Sequence, residues 1–322
     1  MSVTIGLIGG TGLGEAIAAA GGTPHTLDTP FGTTSSPILE TQWSGIRVLA
    51  ISRHGEGHTL SPVAVPYRAN LFALKMLGVT HVLATGAVGS LREEYRPRDL
   101  VIPEQAIDKT FRRPSSFFEK SAVHVEFHEP FCPVLRQILQ DVSEETIRRR
   151  GPEVGMRVHH GGCYVAMEGP QFSTRAESLM HRLWGGDLIG MTLMPEAKLA
   201  REAELPYASV SLVTDYDAWR PPIVVDAKTA SGVGVSAEPA TTREKHELLN
   251  EIIGNLKVAG ENAIALLKAT VEIIAADPTK LDACPARDAL ELAIWSDKAK
   301  VDPGEIEKLR PIWERYFSAR DA

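Results

Sequence analysis

The sequence predicts an α/β protein: a single domain with a central mixed β-sheet flanked by helices, followed by a C-terminal helical extension. Three observations predict it. Short apolar runs of strand length alternate with segments of helical periodicity. Several of those runs end in glycine or small-residue turns. The chain of 322 residues, 43% of them apolar, is long enough to bury one large core.

The elements follow in order. "VTIGLIGGTGLG" reads as a buried strand running into a glycine turn. "IRVLAISRHG" is a second strand that ends in basic residues and glycine. "PYRANLFALKMLG" opens with Pro66, spaces its apolar residues helically and stops at Gly78, a helix signature. "THVLATGAVGS" and "DLVIPEQAID" read as further strands, and "CPVLRQILQDVSEETIRRRG" as a helix. "GCYVAMEGPQF" is a strand and turn, and "STRAESLMHRLWGG" a helix capped by Ser173 or Thr174. "DLIGM", the helix "PEAKLAREAEL" and the strand "YASVSLVTD" repeat the alternation. Residues 219–242 are rich in Pro, Gly, Ala and Ser and read as a long loop, a length that points to function or disorder. A long helix spans Thr242 to Ala276, and the more polar tail carries two short helical patterns. The main domain thus covers residues 1–280, and the extension, which reads as an appendage, covers 281–322.

Composition narrows the function classes. The net charge is −7 with no long block of one sign, which argues against a nucleic-acid partner held by phosphate neutralisation. The basic run Arg148, Arg149, Arg150 follows Glu144 and Glu145 and reads as a solvated helix end. Three cysteines without CxxC spacing suggest neither a disulfide framework nor a zinc site, but thiols in a reducing compartment. The N-terminus lacks the basic region of a signal peptide. No apolar stretch reaches the ~20 residues that span a bilayer. The expectation is a soluble, cytoplasmic protein with no membrane partner.

Ligands of open α/β sheets bind at the carboxyl ends of strands. Those ends carry Gly9, Gly10, Thr11 and Gly12, then Ser52, Arg53 and His54, then Thr85, Gly86 and Ala87. Later ends carry Met167, Glu168 and Gly169, then Met191 and Thr192, then Thr214, Asp215 and Asp217. A glycine turn, a fixed cation and hydroxyls suit an oxyanion such as phosphate. The carboxylates suit a group with N–H donors or one that must be protonated. Each element alone has a plainer reading. "GGTGLG" matches a dinucleotide-binding turn only in part, and no acidic residue ends the second strand, where ribose would need it. His54 can also be read as a satisfied core histidine, Phe172 and Met191 as core packing, His58 and His124 as surface or interface residues, and Glu168 as a helix cap. Asp215 and Asp217 are either turn acids or, in a buried site, a pair that raise each other's pKa.

Taken together, "IGLIGGTGL", "SRHGEGHTLSP", "YRANLFALKMLGVTHVLATGAVGSLRE", "MEGPQFSTRAES", "GMTLMPEAKLAREAELPYAS" and "TDYDAW" resemble the 5′-methylthioadenosine phosphorylases. These belong to the trimeric purine nucleoside phosphorylase family. The resemblance covers about residues 3–219 and the following long helix, and suggests no counterpart for the tail beyond about 280. It implies that Thr11, Arg53, His54, Gly86 (through its backbone N–H), Ala87 and Thr192 surround phosphate. It implies that Met191 packs on the ribose and Phe172 on the purine. Asp215 and Asp217 would face the purine's N7 and 6-amino group. His58 and His124 would lie near the methylthio pocket across a subunit boundary.

The activity implied is phosphorolysis of a nucleoside, with Asp215, Asp217 and His54 as catalytic residues. Inorganic phosphate is a substrate, no metal or organic cofactor takes part, and the assembly is a homotrimer. One alternative is a 6-oxopurine nucleoside or methylthioinosine phosphorylase, whose site would place an amide where Asp215 stands. Others are a nicotinamide-dependent oxidoreductase and a non-catalytic nucleoside-binding protein.

Overall fold

The computed structural model describes residues 2–10, 21–220 and 242–317. Thr11, residues 221–241 of the expected loop and the last five residues lie outside the described residues.

The described strands are β1 (Thr4–Gly9), β2 (Thr23–His25), β3 (Asp28–Thr29), β4 (Gly32–Thr33), β5 (Ile38–Trp43), β6 (Ile46–Ser52) and β7 (His81–Ser90). They continue with β8 (Leu100–Ile102), β9 (Gln105–Asp108), β10 (Val158–His160), β11 (Cys163–Ala166), β12 (Leu188–Gly190) and β13 (Tyr207–Tyr216). The main path of the sheet runs β10-β8-β13-β7-β1-β6-β5-β2, with β12, β11 and β9 branching from the end of β7. β6, β1, β7 and β13 are mutually parallel, whereas β5 and β8 join antiparallel, so the sheet is mixed as the sequence predicts. All six residues of β1 are buried. That is the pattern of a strand covered on both faces, and it explains the unbroken apolar run.

Helices α1 (Tyr67–Met76), α2 (Pro133–Asp141), α3 (Ser143–Arg150), α4 (Arg175–Leu183), α5 (Leu193–Glu202) and α6 (Thr242–Ala276) flank the sheet. The stretch read as one helix from Cys132 is two, α2 and α3, with Val142 between them. "DLVIPEQAID" is likewise two strands, β8 and β9, broken at Pro103, which has no N–H to give to a ladder. Thr174, not Ser173, caps α4, in a reciprocal capping box with Glu177.

β7 creates the crevice. Residues 81–84 pair with β1, and Gly89 and Ser90 pair with β12 on the branch. Among the described residues, 85–88 are paired with β13 alone. The sheet therefore divides at those four residues. β13 follows β7 throughout, but its register shifts between Val213 and Asp215, a bulge at Thr214. Bulges re-aim the side chains that follow them, and here the residues that follow are the two aspartates.

Residues 281–317 form short helical segments, among them α7 (Pro303–Lys308) and α8 (Arg310–Trp313). They share the core of the main domain. Leu290, Ala293, Val301, Leu309, Ile312 and the fully buried Trp313 lie in the same cluster as Phe72, Leu74 and Ala200. Buried carboxylates fasten the segment. Glu305 accepts from the backbone N–H of Glu119 and Lys120, and Glu204 accepts from Leu290 N and Arg315. Cys132 and Cys284 are buried free thiols with Sγ atoms 3.4 Å apart. No helix among the described residues is long and apolar enough to cross a membrane.

Candidate active site

One end of the crevice is cationic. Arg53 follows β6 and is fully buried. Its Nε and Nη2 donate to the two carboxylate oxygens of Glu196, each at 2.7 Å, and Nη1 donates to Thr85 O at 2.8 Å. Glu196, on α5, is also fully buried and accepts from Tyr207 Oη at 2.7 Å. Burial opposes the arginine's charge, but the Glu196 carboxylate outweighs it and raises the pKa above the ordinary value. A guanidinium has five N–H groups, so three are held by protein and two remain for a ligand. Gly10 and Gly86 both approach Nη1; a Cβ on either would lie 3.9–4.0 Å from it. A Cβ on Gly86 would also lie 3.3 Å from Thr192 Oγ1. Gly10, Arg53, Gly86 and Thr192 thus surround one point, and Ala87 is exposed on an otherwise buried stretch of β7. Fixed donors around an opening of this kind are an oxyanion cradle.

His54 lies beside the cradle, 8% exposed. Its Nδ1 is 2.8 Å from Leu60 O. A carbonyl only accepts, so Nδ1 carries the proton and, in the neutral ring, Nε2 carries the lone pair. Burial and the adjacent Arg53 charge push its pKa down to about 4. The ring is therefore neutral near pH 7 and able to accept a proton through Nε2. His58 is exposed and stacks on His54, with ring centroids 4.3 Å apart.

The acidic end is built on the bulge. Thr214 Oγ1 donates to Asp215 Oδ2 at 2.7 Å, and Asp217 N donates to Ser90 O at 3.2 Å. Both acids crowd Gly89: a Cβ there would lie 3.3 Å from Asp215 Oδ1 and 3.2 Å from Asp217 Cβ. Only a residue without a side chain lets the two approach together. The Asp215 pKa is raised, chiefly by burial, against the Thr214 hydrogen bond and with a smaller push from Asp217. Desolvation rather than mutual repulsion is thus the main cause of the shift. Asp217 is 8% exposed, and its Oδ2 is buried without a hydrogen-bond partner. Neither acid is a plain surface-turn residue.

Between the two ends, β11 and β12 deliver Glu168 and Met191. Met191 is half-buried against Gly169, where a Cβ would lie 2.5 Å from its sulfur. Phe172, on the loop into α4, is 79% exposed, so core packing does not account for it. Glu168 does not cap α4. It accepts from the backbone N–H of Phe111 at 2.6 Å and from Arg113 Nε at 3.2 Å. Arg113, nearly fully buried, also donates to Tyr67 Oη, Met194 O and Met191 O. Glu196, Arg113 and Gly89 help to build the candidate site, and the sequence reading does not single them out. Their partners are remote in sequence, and the only local hint is two adjacent arginines in "FRRP". His124 is not brought into the crevice of its own chain: it is exposed, with its ring 4.6 Å from that of Trp295 on the extension. A separate cleft of about 140 Å³, lined by Arg136, Gln140 and His160 among others, carries none of these groups.

The sequence and the overall fold match those of known proteins. The family model of the phosphorylase superfamily matches residues 4–272. The S-methyl-5′-thioadenosine phosphorylase of Gloeobacter violaceus is 42% identical over 98% of this chain and 97% of its own length. That of Synechocystis is 40% identical over 98% of this chain and 89% of its own. Among solved structures, a methylthioadenosine phosphorylase from an antarctic soil metagenomic library superposes with a TM-score of 0.81, at 36% identity, covering 97% of this chain and 99% of that one. The Schistosoma mansoni methylthioadenosine phosphorylase in complex with tubercidin gives 0.75, at 31% identity, covering 91% and 99%. The matches to the relatives and solved structures, though not the family model, extend into the segment beyond residue 280. The chain therefore belongs to the phosphorylase superfamily and, within it, to the family of the S-methyl-5′-thioadenosine phosphorylases.

Proposed function

We propose that the protein phosphorolyses 5′-methylthioadenosine, giving adenine and 5-methylthioribose 1-phosphate. One observation carries the reading: the buried Arg53 cradle and the Asp215–Asp217 pair both border the stretch of β7 where the sheet divides, three residues apart along that strand. Gly86 serves the first and Gly89 the second. At about 3.3 Å per residue that spacing is ~10 Å, the distance from a phosphate under the ribose to the far edge of a purine. The names of the relatives support the choice of nucleoside.

The roles follow from the chemistry. Arg53, Gly10, Gly86 and Thr192 hold phosphate, with Thr11 and Ala87 completing the cradle. His54 Nε2 accepts a proton from a phosphate hydroxyl and turns an oxygen toward C1′. Met191 and Phe172 lie against ribose and base. A phosphate oxygen bonds to C1′ as the C1′–N9 bond breaks, and the electron pair of that bond passes into the purine. Adenine is a poor anion, so N7 must receive a proton as the bond breaks. Asp215, whose burial keeps its proton to higher pH, gives that proton, and Asp217 accepts from the 6-amino group. Holding the two reactants in place is the kind of effect that removes ~7 kcal/mol or more of a barrier. The reaction as written uses phosphate as substrate and calls on no metal or nicotinamide.

We also infer a cytoplasmic homotrimer, with His58 and His124 at its boundary. The exposure of Leu292 (88%) and Trp295 (72%) near His124 supports a face that meets another copy. Light scattering tests it, and a fully active monomer would refute it.

The deciding experiment follows adenine release from methylthioadenosine with and without phosphate, and compares 6-amino with 6-oxo nucleosides in Asp215→Asn and Asp217→Asn. Phosphate-independent release means hydrolysis and overturns the mechanism. An unchanged ratio between the two nucleosides in both variants would mean that the aspartates do not read the base.

A further inference from the structure

His181 and Lys109 play no part in the reaction described above, yet they lie directly behind its acidic end. Ser178 and His181 are the buried residues of α4, three apart and so on one face of the helix. Ser178 Oγ accepts from Trp219 N at 3.1 Å, which ties that face to the segment carrying Asp217. Trp219 Nε1 donates to Ser90 O, the carbonyl that also receives Asp217 N. His181 is 2% exposed. Its Nε2 lies 3.0 Å from Lys109 Nζ. An ammonium has only protons to give, so Nε2 accepts and the proton of the neutral ring sits on Nδ1. That Nδ1 is buried with no hydrogen-bond partner, and so is Asp217 Oδ2. A buried donor and a buried acceptor are therefore left open on two elements that are fastened together, and buried polar groups of this kind are rarely left unpaired.

We propose that His181 is a positioning residue for Asp217: its Nδ1–H serves the Oδ2 oxygen of Asp217, which leaves Oδ1 to accept from the 6-amino group of the purine. Lys109 acts one step further back by fixing the tautomer. The arrangement makes base selection depend on a chain from Lys109 through His181 to Asp217, a second layer beneath the two acids. Burial and the Lys109 charge hold the imidazole below its ordinary pKa, with Asp217 and Glu177 pulling the other way. The ring is thus kept neutral, with one donor and one acceptor as the chain requires. This inference rests on the purine-reading role given to Asp217 under the proposed function.

The test uses three full-length variants. His181→Phe fills the space and removes both nitrogens. His181→Asn keeps an N–H near the position of Nδ1. Lys109→Met removes the group that sets the tautomer. Steady-state KM for methylthioadenosine and for phosphate, kcat for 6-amino and 6-oxo nucleosides, and the calorimetric affinity for adenine are measured in each. The expected result for His181→Phe is about a tenfold rise in KM for methylthioadenosine and about a tenfold loss of adenine affinity, with KM for phosphate unchanged. Preference for the 6-amino nucleoside falls in parallel. His181→Asn recovers to within about threefold of the wild type, and Lys109→Met falls between. Equal behaviour of Phe and Asn, or a loss shared by both nucleosides and by phosphate, would mean a purely structural role and overturn the proposal. A wild-type protein that binds adenine but does not release it from methylthioadenosine would sink the proposed function alone, because the adenine affinities still test His181.

Discussion

Replacing Glu196 with glutamine tests the phosphate-holding role proposed for Arg53. Both side chains are fully buried, and two 2.7 Å hydrogen bonds join them. Glutamine keeps the shape but turns an N–H toward a guanidinium N–H and removes the charge that balances Arg53. Breaking a buried ion pair from one side costs about 3–5 kcal/mol, because the remaining charge stays desolvated. The unfolding entropy of a chain of 322 residues, at roughly 2.1 cal/mol/K per residue, is ~0.7 kcal/mol/K, so a loss of ~4 kcal/mol lowers Tm by about 6 °C. Phosphate should then behave differently in the variant. With phosphate in the place proposed for it, the wild type offers an arginine that Glu196 already balances, whereas in Glu196→Gln the anion itself would neutralise the buried charge. Saturating phosphate at about 100 times its Kd stabilises by about 2.7 kcal/mol. If the variant binds phosphate more tightly than the wild type, the Tm gap narrows as phosphate is added at fixed concentration. Catalysis still suffers, because the guanidinium is no longer held by two bonds, and a misplacement near 1 Å is worth about a hundredfold in rate. Scanning calorimetry with and without phosphate, beside kcat/KM, checks both halves. Tyr207→Phe, which removes one hydrogen bond to Glu196, is the milder control and should cost about 1.5–3 kcal/mol. A Tm within about 1 °C of wild type and an unchanged kcat/KM in Glu196→Gln would mean that Glu196 does not set the arginine.

Four further outcomes are expected. Gly89→Ala places a Cβ 3.2–3.3 Å from both aspartates and from Ile189; it should lower kcat/KM by about a hundredfold for a stability cost of ~1–3 kcal/mol, and activity within twofold of wild type would show that the acids do not need that approach. Trp313→Ala empties a fully buried site in the main core and should cost about 3–5 kcal/mol, read as a lower Tm; a chain ended at residue 280 should fail to give soluble protein, and a stable truncated chain would mean that the extension is dispensable. His54 has its pKa depressed to about 4 from an ordinary 6.5, so the unfolded state takes up the proton first, and stability from this residue is present above pH 6.5 and lost as pH falls toward 4. In thermal scans across that window the Tm gap between wild type and His54→Asn should close toward the acid end, and a constant gap would refute the shift.

The parts of the fold and site that were legible in the sequence share a physical cause. Strand ends are legible because a buried strand is a continuous apolar run, and the residue that ends the run must lie at the sheet's edge. Arg53, Gly86, Thr192 and Asp215 could be gathered that way without knowing which strands pair. Glu196 could not. It sits in "PEAKLARE", which the sequence marks only as helix, and its partner is 143 residues away. Gly89 reads as one more small residue in "GAVGS" until the bulge at Thr214 turns two carboxylates onto it. The extension reads as an appendage because its composition is polar, but six apolar side chains at irregular spacing suffice to join the core. Glu168 and Glu177 make the contrast sharpest. Both are glutamates close to the start of α4, and both accept backbone N–H groups. The Thr174–Glu177 box closes over three residues, so spacing alone reveals it. Glu168 closes a contact over 57 residues, and a carboxylate is satisfied by any buried amide, near or far. Local pattern therefore fixes a residue's role only where its partner is local, and an active site assembled from six strand ends is the place where that condition fails most often.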